Sequence, residues 1–159
     1  MIRNSKSRLD DIFTSCHILV EGFSGTGKTF LVECLAGQLK IPLLKINLET
    51  TFLSDSKQIS LFLKLLREFL SQNKRAIIFF KNLDSFAKAE DSQDSTESHN
   101  NRKICNKLSD FLREYHTTSA ADSLHLFLAS AKKQSELNSN FLRYFLTLST
   151  RVCFLNFFL

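Results

Sequence analysis

Three of the four glycines in this chain of 159 residues, Gly22, Gly25 and Gly27, crowd into one short stretch. They belong to Gly22-Phe23-Ser24-Gly25-Thr26-Gly27-Lys28-Thr29, which fits GxxxxGK[ST] in full. The apolar run 17–22 comes before it, and Leu31, Val32, Leu35, Ala36 and Leu39 follow at helical spacing. A strand, a Gly-rich turn and a helix in that order restrict the fold sharply. The glycines let the backbone curl so that successive N–H groups point inward at phosphate oxygens. A helix starting near Lys28 adds its positive dipole end. In that setting Lys28 supplies a full charge to β- and γ-phosphates, and the Thr29 hydroxyl can ligate Mg²⁺. The candidate binding residues are therefore Gly22, Phe23, Ser24, Gly25, Thr26, Gly27, Lys28 and Thr29.

The rest of the chain alternates strand and helix signals. Pro42 stops the first helix, and LLKINL (43–48) reads as a second strand. From Ser56 to Ser71 the apolar residues Ile59, Phe62, Leu63, Leu66, Phe69 and Leu70 form a helical stripe. AIIFF (76–80) is continuous and apolar, as in a strand buried on both sides of a parallel sheet. A mobile polar loop is expected over 88–101, because EDSQDSTESHNN (90–101) lacks any large apolar side chain. Ile104, Leu108, Phe111, Leu112 and Tyr115 mark a third helix, and LHLFLASA (124–131) a fourth strand. A short fourth helix over 139–146 and a last strand around Val152–Phe158 complete the expected order. This alternation predicts an α/β fold, a three-layer sandwich around a mainly parallel five-stranded sheet. Residues 1–14 read as a flank and 15–159 as one domain.

Composition narrows the classes further. A net charge of +5 without a dense basic tract fits an ordinary surface, and no nucleic-acid partner is predicted. Cys16, Cys34, Cys105 and Cys153 are scattered, as are His17, His99, His116 and His125, so buried or half-buried thiols in a reducing compartment fit better than a metal site. The N-terminal MIRNSKSRLDDIF lacks the apolar core of a secretion signal, and Val152–Leu159 is too short to cross a bilayer. A cytoplasmic protein is expected, or one held peripherally at an organelle membrane such as the peroxisome. Gly37 is the only glycine outside the loop, which excludes the Gly-rich signature of an ABC-type ATPase and the DxxG of a GTPase.

From the phosphate loop onward the pattern resembles the AAA ATPases. AIIFFKNLDSFA (76–87) is similar to their Walker B segment, an apolar run followed by Asp-Glu-apolar-Asp-Ser. HLFLASAKKQSELNSNFLR (125–143) is similar to the following strand and sensor-1 segment. TFLSDS (51–56) resembles the pore loop, with Phe52 and Leu53 in the aromatic and apolar places and Ser54 in place of its Gly. Among members, the degenerate first ATPase domains of two-ring proteins such as the peroxisome biogenesis ATPases look closest. The resemblance implies a P-loop NTPase fold, ATP with Mg²⁺ as cofactors, a homo- or hetero-oligomeric ring of AAA subunits, and a protein client. The chain ends before the family's helical lid should begin, so a domain without that lid is expected.

The departures concern chemistry. Lys81 takes the place of the Asp that anchors the magnesium's water shell, and Asn82 that of the Glu that polarises the attacking water. At ~4 Å and an effective dielectric near 20, an ammonium repels a unit positive charge by about 4 kcal/mol. Asn82 can hydrogen-bond a water but cannot accept its proton. Ala131 falls where the sensor-1 Asn would lie, leaving Ser130 as the substitute. Asp84 remains, but using it as the acid requires the strand end to shift by two residues. Arg143 lies near where inter-subunit arginine fingers arise, though without the usual Arg-rich ending. The leading expectation is an ATP-binding domain for protein remodelling or complex disassembly whose hydrolysis is impaired. Three alternatives stay open: an active ATPase using Asp84 or a partner subunit, a P-loop small-molecule kinase, and a scaffold that has lost nucleotide.

Overall fold

The computed structural model describes residues 17–48, 56–85, 96–118, 123–137, 142–143 and 145–149. Its elements are β1 (His17–Glu21), α1 (Lys28–Leu39), β2 (Leu43–Asn47), α2 (Ser56–Gln72), β3 (Arg75–Lys81), α3 (Thr96–Thr118), β4 (Leu124–Ala131) and β5 (Phe145–Ser149). Single 3₁₀ turns follow β3 at Leu83–Ser85 and β4 at Gln134–Glu136. The strands form one sheet in the order β2-β3-β4-β1-β5, every neighbouring pair parallel.

This order decides where the helices go. The crossover from β1 to β2 runs one way across the sheet, and those from β2 to β3 and β3 to β4 run back. Right-handed crossovers in opposite directions must lie on opposite faces. Accordingly Val32 and Ala36 of α1 pack on Ile77, Phe79, Leu126 and Leu128. On the other face Ile59, Leu63, Leu66 and Leu70 of α2 and Ile104, Leu108, Phe111 and Leu112 of α3 pack on Ile78, Phe80, Phe127 and Ala129. Odd residues of β3 thus meet α1 and even ones meet α2 and α3, as the pleat requires. Phe127 is fully buried amid the rings of Phe80, Phe111, Tyr115 and His17. Each such side chain contributes about 1.5–3 kcal/mol through the area it takes out of water. The Arg67–Glu114 ion pair (2.7 Å) joins α2 to α3 in solvent and adds little by comparison.

A second polar tie holds the far end of β4. The Tyr115 hydroxyl donates to His125 Nδ1, and His125 Nε2–H donates to the Asn73 carbonyl at 2.6 Å. Asn73 in turn closes α2, its Nδ2 donating to the Phe69 carbonyl at 2.9 Å. Burial holds the His125 pKa below 6.5, only partly offset by the bond to Asn73.

Three expectations change. The helix expected over 139–146 gives way at its end, because Phe145 and Leu146 belong to β5. β1 offers an open backbone edge there, and five paired positions from His17↔Phe145 to Glu21↔Ser149 outcompete a helix too short to offset its own nucleation. The polar loop expected over 88–101 is shortened, since α3 already starts at Thr96. Once the C-terminal half of α3 is packed, each added helical residue gains a bond for fixing only itself. Cys34, expected to be at least half-buried, is exposed because α1 buries only Val32 and Ala36, whereas Cys105 is buried and its thiol pushed up to about 12. The connection from β4 to β5 contains a 3₁₀ turn, with Leu137 buried and Leu142 packed on the α2–α3 face. The strand expected at Val152–Phe158 and the pore-loop residues Phe52 and Leu53 lie outside the described residues.

Candidate functional site

β1 and β4 are neighbours whose connections leave toward opposite faces. Beyond the carboxyl ends of two such strands the chain leaves a crevice, where open α/β sheets bind ligands. The Gly-rich loop occupies that place. Its entry is fixed by Gly22 N–H donating to the Ala131 carbonyl at 3.1 Å. Thr26 then folds the loop on itself, its N–H and its Oγ1–H both donating to the Phe23 carbonyl, at 3.3 and 2.9 Å. Gly25 and Gly27 adopt φ of 83° and 80°, the left-handed region in which other residues lose about 1–2 kcal/mol. A Cβ at Gly25 would meet open space, so the backbone angle alone requires glycine there. Gly27 is the N-cap of α1 and brings no capping side chain, leaving the helix entrance to the backbone N–H groups.

Lys28 is the first residue of α1. Its Nζ donates to the carbonyls of Gly22 (2.6 Å) and Phe23 (2.7 Å), so the ammonium lies along the inside of the loop. Burial lowers its pKa; Asp84 opposes that shift and Lys132 adds to it, so both charges lie within electrostatic reach. Ser24 is exposed and Thr29 half-buried.

The ends of β3 and β4 complete the site. By alternation Lys81 and Ser130 fall on the α1 face, beside the loop. Asn82 has a φ of 56°, and its N–H donates to Ser130 Oγ at 3.3 Å. Ser130 is buried and Ala131 packs into the core on the opposite face. Leu83 plugs the core from the 3₁₀ turn, which leaves Asp84 pointing back toward the loop, its side chain 15% exposed and 3.9 Å from Lys132 Nζ. The two-residue shift of the strand is absent: β3 ends at Lys81, and Asp84 reaches the vicinity of Lys28 from the turn beyond it. Arg143 is exposed in the connection to β5. Lys132 was not a candidate from the sequence. Its only signal there is its position, first after the strand LHLFLASA.

The donors suit one half of the implied cofactor. A curled backbone with two left-handed glycines, a helix entrance and Lys28 match a chain of phosphates. The magnesium half is poorly matched. The described residues contain no group of three His, Cys, Asp or Glu side chains able to hold a metal, and β3 ends in Lys81, whose ammonium repels a cation.

No described helix is long and apolar enough to cross a membrane. No curated protein matches the chain. The family profile "ATPase family associated with various cellular activities (AAA)" matches residues 18–150. AAA domains bind ATP, usually with Mg²⁺, and typically assemble into rings. The match begins in β1, runs through the cradle and the ends of β3 and β4, and closes after β5; this chain belongs to the AAA ATPase family.

Proposed function

We propose that residues 15–159 form one ATP-binding AAA-type domain whose own hydrolysis is impaired, acting in the cytoplasm on a protein client within a ring of AAA subunits, in remodelling or complex disassembly. The observation that carries this reading is the contrast within the site. The cradle from Gly22 to Thr29 keeps its left-handed glycines and its lysine, while β3 ends in an ammonium and is followed by an amide. A phosphate chain laid in the loop meets N–H donors and the Lys28 charge. A water beside it meets Asn82, which can orient it but leaves its proton where it is. Ser130, whose Oγ accepts from Asn82 N–H, keeps its own O–H to donate. Work done by such a domain is conformational: bound ATP orders the loop and a subunit interface for a partner that hydrolyses.

Purified protein should bind a fluorescent ATP analogue, lose that binding by at least about thirtyfold in Lys28→Ala, and turn ATP over far below the median enzyme rate of about 10 s⁻¹. Turnover near that rate that vanishes in Lys28→Ala would refute the impairment. A second reading, hydrolysis with Asp84 as the acid, is favoured by the approach of Asp84 to Lys28 and opposed by its ion pair with Lys132. It requires Mg²⁺-dependent turnover that collapses in Asp84→Ala.

A further inference from the structure

Lys132 was drawn into the site by the fold alone. It follows Ala131, whose carbonyl accepts Gly22 N–H at 3.1 Å, and the Gly22 carbonyl accepts Lys28 Nζ at 2.6 Å. One residue of the loop, Gly22, therefore joins the carbonyl just before Lys132 to the ammonium of Lys28. The Lys132 side chain is 62% exposed and leans on Asp84 at 3.9 Å, the outer limit of an ion pair. Such a contact is weak and easily exchanged, whereas Asp84 is fixed in its turn. Lys81 stands one strand away, on the same face. Among the described residues at the loop and the carboxyl ends of β3 and β4 on this face, three ammonium groups (Lys28, Lys81 and Lys132) stand with one carboxylate, Asp84, and the surplus equals the charge of one Mg²⁺; the Lys45–Glu33 pair on the same face lies back along β2 and is neutral. Glu21, at the end of β1, falls with Leu19 on the opposite face.

We propose that Lys132 is a phosphate-binding residue, held on Asp84 and transferred to the β- and γ-phosphates of a nucleoside triphosphate, and that with Lys28 and Lys81 it takes the place of the divalent cation. This rests on the nucleotide-binding reading above and adds to it a metal-independent mode. A lysine on a flexible stem suits the exchange, because the ammonium acts as a point charge with rotatable donors. The doubly charged terminal phosphate attracts it more strongly than a single carboxylate does.

Calorimetric titration of the whole chain with ATP, in EDTA and in Mg²⁺, tests this. The wild type should bind with dissociation constants within about threefold of each other in the two buffers. Lys132→Met should weaken binding in EDTA about tenfold, Lys132→Arg should restore most of it, and Asp84→Asn should tighten it. Circular dichroism should be unchanged in Lys132→Met, since the side chain is exposed. Binding that is sound in Mg²⁺ but lost in EDTA, or Lys132→Met equal to the wild type in EDTA, would overturn this inference and leave the ATP-binding reading intact. Failure to bind ATP in either buffer would overturn both.

Discussion

Substituting Asn82 tests whether the backbone selects the residue that follows β3. Asn82 is held at φ 56°, in the left-handed region, immediately beyond the end of β3. Most L-residues lose about 1–2 kcal/mol there, and asparagine less, because its short amide bonds locally. Asn82→Glu should therefore cost about 1 kcal/mol of stability and Asn82→Ala about as much. Asn82→Gly relieves the angle but adds freedom to the unfolded chain, and the two effects nearly cancel. In a domain of this size 1 kcal/mol moves Tm by about 2–4 °C. The order Gly ≈ Asn > Ala ≈ Glu identifies the backbone as the cause, since a side-chain effect would separate Ala from Glu.

Urea unfolding followed by circular dichroism resolves such differences when the slopes stay equal. Ser130→Ala supplies the cross-check. The buried Ser130 Oγ accepts Asn82 N–H at 3.3 Å, and losing that bond should cost about 1 kcal/mol. Because both changes act on the same turn, the double variant Asn82→Glu/Ser130→Ala should depart from additivity by at least about 0.5 kcal/mol. If Asn82→Glu matched the wild type while Asn82→Gly fell below it, the conformational account would be wrong.

Two further outcomes follow from the core and its polar tie. Phe127→Ala should lose about 3–5 kcal/mol in denaturant unfolding and Phe127→Leu about 1–1.5, since the ring is fully buried among four others; a loss under 1 for alanine would contradict the packing. His125, with a folded pKa held below 6.5, binds fewer protons folded than unfolded, so its contribution is full above that pH and declines as pH falls from 6.5 toward the folded value. The stability–pH slope between 6.5 and 5 should be shallower in His125→Gln, and an unchanged slope would show that the tie to Tyr115 and Asn73 does not hold the ring neutral.

What could be read in the chain beforehand was whatever is enforced locally. Each residue from Gly22 to Thr29 answers a demand of its own short loop, and the stripe from Ile59 to Leu70 is written at one helical period, so both were legible without knowing the neighbours. β5 was not, because FLTLS becomes a strand only through the open edge of β1 that it joins. The start of α3 at Thr96 was hidden for a related reason: polar residues with no stripe are carried into helix by the packed turns that follow them.

The same division runs through the site itself. The cradle is contiguous, so a sequence can display it whole. The groups that decide its chemistry are brought together by register: Phe80↔Ala129 sets Asn82 beside Ser130, and Gly22 bonded to Ala131 sets Lys132 at the loop's entrance. Lys81 and Asn82 could be singled out in the sequence because a resemblance to a family pattern marks their places. No pattern marks Lys132, and only the sheet order β3-β4-β1 puts it next to the phosphate loop. Lys81 and Lys132 thus stand at adjacent strand ends, and they shift the local charge in the same direction. Substitutions there should be read jointly: Lys81→Asp alone would leave Asp84 and the new carboxylate competing for Lys132, so magnesium dependence should return in full only when Lys132 is neutralised as well. ATP titrations of Lys81→Asp and Lys81→Asp/Lys132→Met in EDTA and Mg²⁺ measure this, and an equal metal dependence in the two would show that Lys132 takes no part.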